Sequence, residues 1–140
     1  MALLNVISVS SVINEYGLDL PDILSATLLR NARLQLRSMF LFSGGNIMQV
    51  LEGAHEAVNK GMQEIARDGH FVELLELNRV TVDEPRLQTN SLGAGRLSAS
   101  VLERLPADLV FFPLGASAVE QRVRPGVACN LLAQFARDYS

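Results

Sequence analysis

The stretch that decides the fold is MFLFSGGNIMQVLEG, residues 39–53. Two apolar runs flank Gly44 and Gly45, and a two-residue glycine loop is a strong hairpin signal because glycine accepts the positive φ of tight turns. Side chains alternate along a strand, so the predicted hairpin has two faces, and both are apolar. The first face carries Phe40, Phe42, Ile47, Gln49 and Leu51, and the second face carries Met39, Leu41, Met48 and Val50. We therefore expect a central hairpin covered on both sides, in which the buried amide of Gln49 needs a hydrogen-bond partner.

The segments around the hairpin predict a βαββαβ order. Asp19 and Pro21 are typical of a helix start, and Thr27 and Asn31 continue the apolar stripe of that helix at helical spacing, so Asn31 is a second amide directed at the core. The predicted elements are a strand at 3–10, a helix from about 19 to 33, the hairpin, a helix at 54–68 and a strand at 71–82. This is the ferredoxin-like α+β arrangement, with two helices on one face of the sheet.

The C-terminal third predicts further helices. Residues 100–103 and 117–120 both read S-x-x-E, the form of a capping box, and residues 127–139 carry an apolar stripe. We expect these helices to cover the second face of the hairpin. The predicted organisation is a ferredoxin-like domain at 1–95 and a C-terminal helical extension at 96–140 packed on that domain.

Composition limits the classes of function. The chain has 140 residues, a net charge of −3 and a single cysteine, Cys129. No basic face or long apolar run is evident, so we expect neither nucleic-acid nor membrane binding. Without an internal disulfide or a recognisable basic leader, a cytoplasmic location is expected. Hydrophobic residues reach 49%; this surplus predicts a homo-oligomer formed through the open sheet face and the C-terminal segment, including Phe111 and Phe112.

The search for independent catalytic chemistry is negative. His55 and His70 are the only histidines, without cysteines or carboxylates at metal-ligand spacing, so no metal site is expected. The glycine pairs do not stand between a strand and a helix with a lysine, as a phosphate loop requires. A small hydrolase of ferredoxin-like fold would need an arginine in the loop after the first strand, and residues 10–14 contain none. We therefore expect no enzyme activity.

Several motifs resemble the BLUF family, the sensors of blue light using flavin adenine dinucleotide (FAD). The resemblance covers about residues 3–92 and depends on Asn31-Ala32-Arg33, Leu41-Phe42-Ser43-x-Gly45, Gln49-Val50-Leu51-Glu52-Gly53 and Asp83-Glu84-Pro85. It implies a flavin ring between the two sheet-packed helices, with Asn31 and Gln49 hydrogen-bonding its polar edge. It also implies a first-strand tyrosine that donates the electron starting the photocycle.

The chain departs from the family pattern at several positions of this implied cofactor site. Ser8 stands where the tyrosine is expected, and Arg37 replaces a threonine, which places a guanidinium close to the expected pocket. Asn90 and Leu92 replace a tryptophan and a methionine. His70 resembles the histidine on the flavin's phosphate side, but its usual basic neighbour is missing. We therefore expect FAD binding to be weak or absent and blue-light photochemistry to be impaired.

Three functional hypotheses follow from the sequence. The first is a BLUF-family regulatory protein that retains part of the FAD pocket and signals through contacts with an unidentified regulatory protein. The second is a flavin-free protein-interaction module, in which Arg37 fills the pocket while Asn31 and Gln49 bond each other or Ser8. The third, less favoured, is a small ferredoxin-like hydrolase.

Overall fold

The predicted hairpin forms the centre of a six-stranded sheet. The computed structural model describes residues 2–14 and 16–139. The elements in chain order are β1 (Leu3–Ser11), α1 (Leu20–Leu34), β2 (Arg37–Ser43), β3 (Asn46–Gly53), α2 (His55–Arg67), β4 (Val72–Val82), β5 (Ser91–Ala94), α3 (Ala99–Arg104), β6 (Val110–Pro113), α4 (Ala116–Glu120) and α5 (Val127–Tyr139). The fold is α+β, and the predicted βαββαβ order is confirmed. Within the described ranges, no helix combines the length and apolar character needed to cross a membrane.

The strands lie in the order β4-β1-β3-β2-β5-β6. The first four are antiparallel neighbours, and β5 and β6 extend the sheet in parallel from β2. Gly44 and Gly45 form the hairpin loop with φ of 56° and 89°, and Phe40 pairs with Gln49 as the glycine loop predicts. The turn chemistry thus fixes which residues share each face of β2 and β3.

Helices α1 and α2 cover the first face of the hairpin. Side chains of α1 pack on Phe40 and Phe42, while Val58 and Ile65 of α2 pack near Leu51. Gly61 allows α2 to approach closely, because a Cβ there would lie 2.9 Å from a methyl carbon of Leu36. The site implied by the sequence therefore lies between these two helices and the first face, and we refer to this buried layer as the groove.

The second face is covered by α4 and α5. Met39, Leu41, Met48 and Val50 are all buried in a cluster with α5. The predicted C-terminal cover is confirmed for these helices, whereas the short α3 packs beside α1. The second face is therefore covered within the chain itself, and self-association of the protein stays a prediction.

The apolar run at 109–114 contains the sixth strand. Phe112 is 1% exposed and belongs to the core of the second face, whereas its neighbour Phe111 is 40% exposed. Gly93 makes room for this packing, since a Cβ there would lie 2.6 Å from the Phe112 ring. Phe112 therefore stabilises the fold and is not available as an interface residue.

A buried carboxylate holds the segment after β4 against the sheet. Glu52 accepts hydrogen bonds from Asn5 Nδ2 at 3.0 Å, from the Arg86 N–H at 2.9 Å and from the Leu87 N–H at 3.2 Å. Hydrogen bonds to a charged acceptor are stronger than neutral ones. This anchor directs the chain from β4 across to β5 and so positions the residues that precede β5.

Candidate functional site

Ser8 and Gln49 are direct neighbours in the centre of the sheet. They are paired across β1 and β3, and the two residues are 2% and 3% exposed. Gln49 also pairs with Phe40 on its other side. Among residues 2–14 and 16–139, Nε2 of Gln49 has no hydrogen-bond partner. The prediction that Gln49 is a buried amide is confirmed, but no acceptor for its Nε2 lies among the described residues.

Asn31 lies in the last turns of α1 and is 1% exposed. Its Nδ2 donates to Ser38 Oγ at 2.9 Å and to Asn90 Oδ1 at 3.0 Å. The Ser38 N–H donates to the same oxygen of Asn90 at 2.9 Å. The sequence analysis offered an alternative in which Asn31 and Gln49 bond each other or Ser8. For Asn31 this is wrong, because both hydrogens of its Nδ2 are donated to Asn90 and Ser38.

Arg37 lies on the opposite side of the sheet from these two amides. It shares the second face with Met39, is exposed, and donates to the carbonyl of Leu87 at 3.0 Å. The expectation that Arg37 fills the space near Asn31 and Gln49 is therefore wrong. Strand alternation gives the reason, since odd-numbered residues of β2 face α5 and even-numbered residues face α1 and α2.

Leu92 and His70 have different environments. Leu92 is fully buried beside Phe40 on the first face. His70 is exposed in the turn after α2, and its Nδ1 lies 2.8 Å from a carboxylate oxygen of Asp68. Leu92 thus borders the groove. His70 lies in an exposed turn, and its recorded side-chain contact is with Asp68 of the same turn.

Two residues that the sequence analysis did not select are Phe71, which packs on the first face, and Arg30, which is buried on α1. The Phe71 ring centroid lies 6.3 Å from that of Phe40, and Phe71 packs against both the α1 and the α2 clusters. Arg30 is 7% exposed, and its Nη2 is 3.4 Å from Thr27 Oγ1. Burial lowers the pKa of Arg30, and the nearby carboxylate of Glu64 offsets only part of this effect. For Phe71 the only sequence signal is its β-propensity. For Arg30 the signal is its position next to Asn31 in the sequence.

The two tyrosine side chains make no recorded hydrogen bond to Asn31 or Gln49 among the described residues. The chain has no tryptophan and two tyrosines. Tyr16 is 72% exposed in the loop before α1, and Tyr139 ends α5 on the opposite face. In the described part of the chain no three metal-ligating side chains cluster, and none of five surface cavities is lined by Asn31 or Gln49. The arrangement can form hydrogen bonds but holds no phenol or indole against Gln49.

Comparisons with known proteins point to one family. The profile described as "BLUF: Sensors of blue-light using FAD" matches residues 3–93. No curated protein sequence matches the chain. The structure is similar to Klebsiella pneumoniae BlrP1 in a manganese and cyclic-diGMP complex, with a TM-score of 0.72 and 23% identity over 97% of this chain and 33% of that one. It is also similar to the BLUF part of BlrP1, with a TM-score of 0.62 and 22% identity over 86% of this chain and 74% of that one.

A further similar structure is BlsA in its ground state, with a TM-score of 0.54 and 22% identity over 59% of this chain and 56% of that one. The chain spans about a third of the length of the BlrP1 complex. At these identities the likeness shows the fold alone, which agrees with the ferredoxin-like fold assigned from the sequence.

Proposed function

Because the chain belongs to the BLUF family, we propose that it is a regulatory module that acts through protein–protein contacts without the family's blue-light photochemistry. The observation that carries this proposal is Ser8, which occupies the position paired with Gln49. The family resemblance implies a tyrosine there as the electron donor. A serine hydroxyl is not oxidised by an excited flavin, and both tyrosines of the chain lie elsewhere. BLUF domains are sensors, and we propose no catalytic activity for this one.

The groove matches a flavin only in part. Within the described residues, Asn31 Oδ1 and Gln49 Nε2 are an unpaired acceptor and donor, which is the chemistry that a flavin edge would satisfy. However, Asn31 Nδ2 already makes two hydrogen bonds within the protein. Phe71 joins the α1 and α2 clusters in the groove where the family holds the ring. The residues therefore do not fit FAD in this arrangement, and we propose that FAD affinity is weak or absent.

Visible spectroscopy tests the proposal. The purified protein is expected to lack stoichiometric flavin absorption. If excess FAD is forced to bind, blue light is expected to produce no reversible red shift in the unmodified protein. Ser8→Tyr restores the missing phenol, and Ser8→Phe is the matched control with similar bulk and no hydroxyl. A reversible red-shifted state in the unmodified protein would refute the proposed loss of photochemistry.

A flavin-free interaction module is the second candidate. The observation that favours it is the internal bonding of the Asn31 amide, which leaves no free hydrogen on Nδ2 for a ligand. The two candidates differ in one measurement, which is the affinity for FAD. Isothermal titration of the purified protein with FAD separates weak binding from none.

We also propose self-association through the C-terminal segment. With the second face covered, Val110, Phe111 and Val127 remain 40–51% exposed in that segment. Val110 and Phe111 belong to β6, the edge strand of the sheet, and an exposed apolar edge strand favours association with another chain. A dimer or larger species is expected in sedimentation at micromolar concentration, and Phe111→Asp is expected to weaken it. A monomer under these conditions would refute the proposal.

A further inference from the structure

We propose that Asn90 is a built-in ligand for Asn31, which completes this site from within the chain in place of a flavin. Asn90 lies immediately before β5, in the segment that Glu52 anchors. Its Oδ1 accepts two hydrogen bonds, one from Asn31 Nδ2 at 3.0 Å and one from the Ser38 N–H at 2.9 Å. A carbonyl oxygen has two lone pairs, so this acceptor is fully used. This inference deepens the proposed function and rests on it, because it takes the site to be one at which FAD binding is weak or absent.

The amide of Asn31 is likewise fully used as a donor. Nδ2 carries two hydrogens, and its two partners are Asn90 Oδ1 and Ser38 Oγ, the latter at 2.9 Å. A ligand carbonyl that needs a hydrogen from Asn31 must therefore displace one of them. Because a buried polar group that loses its partner costs free energy, this displacement opposes ligand binding.

The same residue holds the C-terminal strands. The backbone carbonyl of Asn90 accepts a hydrogen bond from the Val110 N–H of β6 at 3.2 Å. The next residue, Ser91, begins β5 and pairs with both Met39 and Val110. The Oδ1 bond to Ser38 thus extends the contact between this segment and β2 by one residue before the ladder begins. Asn90 therefore links α1 and β2 to β5 and β6, and release of its side chain is expected to loosen the two C-terminal strands.

Three single variants test this role in the dark and without added flavin. Asn90→Leu removes the acceptor and keeps the branching of the side chain, Asn90→Asp keeps an acceptor oxygen, and Thr89→Val is the neighbouring control because Thr89 is exposed. Asn90→Leu is expected to lower Tm by about 5–10 °C, since two buried donors lose their acceptor. Asn90→Asp is expected to lose less than half of that, and Thr89→Val about 1 °C or less. An Asn90→Leu protein as stable as Thr89→Val would overturn the inference.

A measurement on the unmodified protein covers the case in which Asn90→Leu fails to fold. The side-chain NH₂ of Asn31, followed by ¹⁵N NMR, is expected to be protected from solvent exchange without flavin. Rapid exchange of that amide would contradict the built-in ligand. In the Asn90→Asp protein the protection is expected to persist, because the acceptor oxygen remains.

Competition with FAD provides a further readout. Asn90→Ala frees the Asn31 amide, so FAD is expected to bind this variant at least ten-fold more tightly than the unmodified protein. Equal affinities would show that Asn90 does not occupy the ligand's position.

A light-driven red shift in the unmodified protein would defeat the proposed loss of photochemistry, whereas the dark stabilities and the Asn31 exchange rate decide the role of Asn90. The two failures are therefore distinguishable.

Discussion

Replacing Gln49 by methionine is expected to stabilise the flavin-free protein. Gln49 is 3% exposed, and its Nε2 meets no acceptor in residues 2–14 and 16–139. Methionine is unbranched and of similar length, so Gln49→Met keeps the shape of the side chain while removing the unpaired donor. In a protein whose glutamine bonds a resident flavin, the same change would remove a useful interaction, so the sign of the effect is diagnostic.

The magnitude follows from the burial of this amide. A buried donor without a partner costs about 1–3 kcal/mol, and an apolar replacement of the same shape avoids that cost. We expect Gln49→Met to raise the free energy of unfolding by about 1–3 kcal/mol. For a chain of this length, 1 kcal/mol corresponds to a change in Tm of about 3–5 °C. The expected increase in Tm is therefore about 3–15 °C.

Urea denaturation and calorimetry in the dark, on protein stripped of flavin, measure this effect. Gln63→Met on α2 is the matched control, because that side chain is exposed and the two residue types have similar helix propensities. The control is expected to change stability by less than about 0.5 kcal/mol. A Gln49→Met protein that is less stable than the unmodified one would refute the reasoning, since Nε2 would then have a partner worth keeping.

Three further predictions concern the frame around the groove. Glu52→Ala is expected to cost about 3 kcal/mol or more in urea denaturation, because several buried donors lose a charged acceptor, whereas the exposed Glu103→Ala should change little. Phe112→Asp is expected to unfold the protein by circular dichroism, since loss of a buried phenyl ring alone costs about 3–5 kcal/mol, while Phe111→Asp should stay folded. Burial, with a smaller contribution from Glu120, raises the pKa of Cys129, so at pH 8 its thiol should react with a disulfide reagent at least ten-fold more slowly in native than in urea-unfolded protein.

The sequence by itself determined the hairpin, the order of the elements and the two inward amides. Gly44 and Gly45 set the turn, and alternation then assigned every residue of β2 and β3 to a face, because both signals act over a few residues. The same alternation already placed Arg37 with Met39 on the second face. Its assignment to the pocket was therefore an error that local physics could have prevented.

The tertiary structure alone decided what meets those amides. Asn90 contacts Asn31 across 59 residues of sequence, and its position depends on the Glu52 anchor and on pairing of β5 with β2. Phe71 in the groove and Phe112 in the core depend likewise on how separate segments pack. Local periodicity determines which side of an element is buried, but the identity of the neighbour is fixed by long-range packing, and a hydrogen bond forms only where that packing brings donor and acceptor together.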